Sequence, residues 1–112
     1  MKFKKSDYKI CIVGLGYVGL PLAARFSLKG FDVSGYDINE ERVNQLKDNI
    51  DINNDIPKKN LKNLTKNCNL TSNLTEIEQC NVYIVTVPTP INDDKTPDLK
   101  PLISSSELVG SI

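Results

Sequence analysis

The chain has 112 residues, 39% hydrophobic and 25% charged, with 14 basic residues balanced by 14 acidic ones, the make-up of one small globular domain. A formal net charge of zero leaves no electrostatic footprint for nucleic acid. No apolar run is long enough for a signal core or a membrane span, including after the basic start Met1–Lys5, so a cytoplasmic protein is expected. Three cysteines without C-x-x-C spacing and no histidine speak against a disulfide framework or a zinc site.

In chain order, Tyr8–Val13 is a β-branched run ended by Gly14 and reads as a buried strand. From Val18 to Lys29, Leu20, Ala23, Ala24, Ser27 and Leu28 recur at helical spacing, and Gly30 follows as a C-cap. Phe31–Tyr36 reads as a second strand ending at Asp37. Asn39 then caps a helix whose apolar stripe is Val43, Leu46 and Ile50. The polar stretch Asp51–Asn73 holds a short helix opened by Pro57, with Leu61 and Leu64 on one face. A weak third strand over Cys68–Thr71 follows it. Val82–Val87 is a strong fourth strand stopped by Pro88 and Pro90, with Thr86 inside it as core. Asp98 is the expected N-cap of a last helix, with Pro101 in its first turn and Leu99, Leu102, Ile103 and Val109 facing inward.

Alternation of strand and helix implies a parallel sheet covered by helices on both faces, an α/β architecture of about four strands. The pattern stops at a helix that should lead into another strand, leaving strand four as a bare edge. Residues 1–112 are therefore expected to be one domain at the N-terminus of a longer protein, with that edge open to homo-oligomeric pairing.

The chemistry lies in Gly14-Leu-Gly16-Tyr-Val-Gly19, a G-x-G-x-x-G that follows a strand and opens a helix, the context that gives this motif meaning. Gly14 permits the tight turn, Gly16 lets the backbone approach a pyrophosphate, and Gly19 lets helix and strand pack closely. Free N–H groups near Tyr17 and Val18, aided by the helix dipole, would receive the phosphates. Asp37 stands 18 residues beyond Gly19, close to the roughly 20 expected of the acid that binds the adenosine ribose. Its carboxylate favours NAD and repels the 2′-phosphate of NADP. Arg42 reads equally as a side chain over the adenine or ribose and as an exposed helix arginine. It also weakens the exclusion of NADP. Thr89, between two prolines at the carboxyl edge of strand four, is placed to meet the pyrophosphate or the nicotinamide ribose. No metal ligands are expected.

With G-L-G-Y-V-G-L-P, Y-D-I-N-x-x-R, Y-I-V-T-V-P-T-P and P-D-L in order, the chain resembles the NAD-binding domain of the UDP-glucose/GDP-mannose dehydrogenase family from Tyr8 to Ile112. Within that family, V-P-T-P followed by P-D-L is most similar to the UDP-N-acetylhexosamine 6-dehydrogenases of bacterial capsule and O-antigen synthesis. The resemblance implies a Rossmann-type fold and NAD contacts at Tyr17, Val18, Asp37, Arg42 and Thr89. It also implies a two-step oxidation of a sugar C6 alcohol to a carboxylate with two NAD, through a cysteine thiohemiacetal and thioester. The family's cysteine and lysine lie downstream, and Cys11, Cys68 and Cys80 do not match them. This chain is thus expected to hold NAD, to contain no catalytic residue and to meet a UDP-sugar only within the full-length enzyme. Two alternatives stay open: a non-enzymatic dinucleotide-binding module, and the first unit of another NAD-dependent dehydrogenase family.

Overall fold

The structure, a computed structural model, describes residues 4–112; Met1–Phe3 of the basic start lie outside the described residues. Four strands, β1 (Lys9–Val13), β2 (Asp32–Tyr36), β3 (Asn69–Thr71) and β4 (Val82–Val85), form one parallel sheet in the order β3-β2-β1-β4. The helices are α1 (Gly19–Leu28), α2 (Glu40–Lys47), α3 (Lys58–Asn67) and α4 (Lys100–Gly110). This is the expected doubly wound, Rossmann-like arrangement.

Side chains alternate across the sheet, as a strand period of two requires. Ile10 and Ile12 of β1, with Val33 of β2, meet Leu20, Ala23 and Ala24 of α1, Val43 and Leu46 of α2, and Leu61 and Leu64 of α3 in one continuous core. Cys11, Val13 and Tyr36 point the other way, toward Ile77 and the last turns of α4 at Leu108 and Val109. Local chemistry sets the helix ends. The Asn39 side chain accepts the Arg42 N–H at 3.1 Å and opens α2, with Glu40 and Glu41 in its first turn, where acids suit the helix dipole. Gly30, at φ +86°, follows α1 in the left-handed conformation that commonly ends a helix.

Several element ends differ from those the sequence pattern predicts. Cys68 is not in β3; its N–H bonds back to the Leu64 carbonyl at 2.8 Å and closes α3. β4 stops at Val85 because its partner β1 ends at Val13, leaving Thr86 and Val87 outside the ladder. α2 ends at Lys47 and Asn49 turns at φ +62°, which carries Ile50 off the apolar stripe and leaves it exposed. Leu28, at the last turn of α1, is also exposed. On α4 the cap is Leu99, and Asp98 serves the Lys100 N–H from one residue further out, at 3.0 Å. Leu99, Leu102 and Ile103 do not face inward: they are exposed because the helix touches the sheet only near its C-terminal end.

Candidate functional site

At the carboxyl ends of β1, β2 and β4 lies a cleft of about 460 Å³ walled by Gly14–Gly16, Asp37–Asn39, Arg42, Thr86–Pro88 and, from α4, Pro101, Ser104, Ser105 and Leu108. Strand order reverses here, with β2 on one side of β1 and β4 on the other. Open α/β sheets bind ligands at such a switch point.

The glycines of the turn answer three different demands. Gly14 sits at φ +104°, a conformation that strains any other residue, with the Thr86 backbone 3.1 Å from where a Cβ would lie. A Cβ on Gly19 would collide with the Gly14 carbonyl oxygen and with Thr86 Oγ1, so this glycine serves the packing of α1 on the turn. Gly16 is different, because a Cβ there would meet nothing within 4 Å. The protein's own packing does not require a glycine at that point, yet the residue lines the cleft. Among the described residues, the backbone N–H groups of Gly16, Tyr17 and Val18 find no acceptor. Three donors at the start of a ten-residue helix, beside a position kept free of side chain, suit a pyrophosphate.

Asp37 faces this turn across the cleft. Its Oδ2 accepts the Leu15 N–H at 2.8 Å and its Oδ1 accepts the Asn39 N–H at 2.9 Å. Each oxygen keeps further acceptor capacity, so the carboxylate is oriented and can still accept from a ribose diol. Arg42 is held more fully. Nε and Nη2 donate to the Leu15 carbonyl at 3.0 and 2.9 Å, Nη1 to Asp51 at 2.9 Å, and Nη2 also to Asp55 at 3.1 Å. Burial of Asp51 opposes its ionisation, but the Arg42 guanidinium and the N–H groups of Ile56 and Asp55 outweigh this and hold its carboxyl below the usual range. Leu15 is thus gripped by Asp37 at its N–H and by Arg42 at its carbonyl.

The cleft brings together Gly14, Gly16, Asp37 and Arg42, whereas Gly19 is buried beneath the turn. Tyr17 and Val18 are exposed, 78% and 49%, and neither lines the cleft. Thr89 is exposed one residue past the wall formed by Val87 and Pro88. Sequence reasoning missed Thr86, which is not core: Oγ1 donates to the Gly14 carbonyl at 2.7 Å and the residue lines the cleft. Its place inside an apolar run masked it. Asp51 and Asp55 were missed as well, because loop residues carry no periodicity to mark which way they face.

The thiols suit packing rather than chemistry. Burial pushes Cys11 and Cys68 up to about 12, and Cys80 is raised as well, so none supplies a thiolate near neutral pH. Among the described residues no group of three His, Cys, Asp or Glu side chains is placed to hold a metal, and no helix is long and apolar enough to cross a membrane.

A parallel sheet with this strand order, a glycine turn opening α1 and an acid at the end of β2 define a dinucleotide-binding domain of the dehydrogenase type. More narrowly, the chain belongs to the UDP-glucose/GDP-mannose dehydrogenase family: residues 8–112 match the model of that family's NAD-binding domain. It is 46% identical to a UDP-N-acetyl-D-glucosamine 6-dehydrogenase of Salmonella typhi over 98% of its own length and 25% of the relative's. A second enzyme of that name, from Pseudomonas aeruginosa, is 46% identical over 96% of the chain and 25% of the relative. Among solved structures, the UDP-D-ManNAc dehydrogenase of Pyrococcus horikoshii superposes with a TM-score of 0.83 at 31% identity, over 92% of this chain and 25% of that one. The chain thus spans about a quarter of the length of the relatives it matches. NAD is the cofactor of the domain, and the open position at Gly16, the unpartnered N–H groups and the oriented Asp37 fit it.

Proposed function

We propose that this domain is the NAD-holding part of a UDP-N-acetylhexosamine 6-dehydrogenase. In that reading the intact protein oxidises the sugar C6 alcohol to a uronic acid with two NAD, in the cytoplasm, for a bacterial surface polysaccharide. The observation that carries the cofactor role is the pairing of the open space beside Gly16 with three unpartnered N–H groups, opposite a carboxylate fixed by two backbone donors. The turn would take the pyrophosphate, Asp37 the adenosine ribose, and Thr89 the pyrophosphate or the second ribose. The names and identity of the relatives support the sugar class.

The domain itself offers binding without chemistry, since its three cysteines are poor nucleophiles. Titration calorimetry is expected to show NAD⁺ binding in the micromolar-to-millimolar range, weakened at least about tenfold in Asp37→Ala, the loss of charge-assisted hydrogen bonds to the ribose. No heat of binding to the folded chain would remove the site. With NAD⁺ and UDP-N-acetylglucosamine together, the 112 residues are expected to produce no NADH, and turnover would show that the chain holds a catalytic set of its own.

A further inference from the structure

An arginine beside the adenosine ribose is the usual means of accommodating a 2′-phosphate, and Arg42 lines the cleft with Asp37. Its guanidinium is nevertheless committed elsewhere. Of the five N–H donors of an arginine, Nε, one on Nη1 and both on Nη2 are directed at the Leu15 carbonyl, Asp51 and Asp55. The three side chains of this cluster are only 5–10% exposed. The loop is shaped to keep the acids there, with Asp51 Oδ2 accepting the N–H of Asp55 at 2.6 Å and of Ile56 at 3.2 Å. Turning the guanidinium toward a phosphate would strand two desolvated carboxylates, which is costly.

We infer that Asp51 and Asp55 are cofactor-selectivity residues: they withdraw Arg42 from the 2′ position and make this end of the cleft reject NADP. Asp37 alone would face one arginine with one carboxylate. The pair adds two negative charges, so Arg42 is outnumbered three to one. Arg42 then acts as a positioning residue, fixing Leu15 between its own donors and Asp37.

The inference rests on NAD occupying this cleft, and its test separates the two claims. Dissociation constants for NAD⁺ and NADP⁺ are measured by calorimetry on the unaltered chain, Asp55→Asn, Asp51→Asn/Asp55→Asn, and that double variant carrying Arg42→Gln. Neutralising Asp55 is expected to narrow the preference for NAD⁺ by about fivefold, the scale of removing one nearby charge at intermediate dielectric. The double variant should narrow it by about twentyfold if the two effects roughly add, and Arg42→Gln should erase that gain. An unchanged ratio in folded Asp55→Asn, or a gain that survives Arg42→Gln, overturns the inference. A second measurement needs no variant. The Arg42 Nε–H resonance of the unaltered protein should be protected from solvent exchange and stay in place as adenosine 2′,5′-bisphosphate is added. A saturable shift would show the guanidinium engaging the 2′-phosphate and would overturn it equally. Failure of the unaltered chain to bind NAD⁺ at all would instead strike the assignment of the cleft, and this inference with it.

Discussion

On one face of the sheet, three helices close over Ile10, Ile12 and Val33 in a core of 14 buried residues. On the other, Cys11, Val13 and Tyr36 pack with Ile77 of a 3-10 turn at Leu74–Ile77, with Cys80 and with the last turns of α4. The cleft joins the two. Its glycine turn is rooted in the deep face through Leu15 and Leu20, both fully buried, while its far wall, from Pro101 to Leu108, stands on the thin one. The backbone of the glycine turn therefore rests on dense packing, which tolerates little displacement.

The sharpest way to break this contrast is Gly19→Ala. The added methyl would overlap the Gly14 carbonyl and the Thr86 hydroxyl, and backbone cannot swing aside as a flexible side chain does. A loss of about 4 kcal/mol or more is expected in urea unfolding, together with NAD⁺ binding. Thr86→Val comes next. It keeps the shape but removes the hydroxyl that donates to the Gly14 carbonyl at 2.7 Å, so about 1–2 kcal/mol is expected. NAD⁺ affinity should fall in the same variant, because the strap runs from the end of β4 to the glycine turn. Lost stability with NAD⁺ affinity intact would show that Thr86 braces the sheet and not the site.

The deep face was legible in the sequence and the thin face largely was not. Leu20, Ala23 and Ala24 mark a helix because packing on a sheet demands apolar residues at that spacing, and the structure buries all three. The same rule misplaced Leu102 and Ile103, since periodicity shows that a helix has an apolar stripe without showing what stands opposite it. The glycine turn and Asp37 were legible because each meets a local backbone demand at a fixed distance along the chain. The grip of Asp51 and Asp55 on Arg42 depends on how a loop folds back across 9 and 13 residues, and no local pattern encodes that. Thr86 was hidden for a related reason: which strand residue lies beyond the end of its neighbour is a matter of register.

The smallest effect is the most exacting check of the contrast, because it compares two positions on one helix. Ile103 of α4 is 52% exposed, whereas Leu108 is partly buried against the thin-face cluster of Cys11, Val13, Tyr36 and Ile77. Serine and isoleucine differ little in helix propensity, so Ile103→Ser chiefly removes apolar surface that folding leaves in water. A stability change within about 0.5 kcal/mol is expected. Leu108→Ser deletes a side chain that folding does shelter, and a loss of about 1–2 kcal/mol is expected for burial that is only partial. Urea midpoints of the two variants measure the difference. Equal losses would mean that α4 is anchored along its whole length and not only near its C-terminal end.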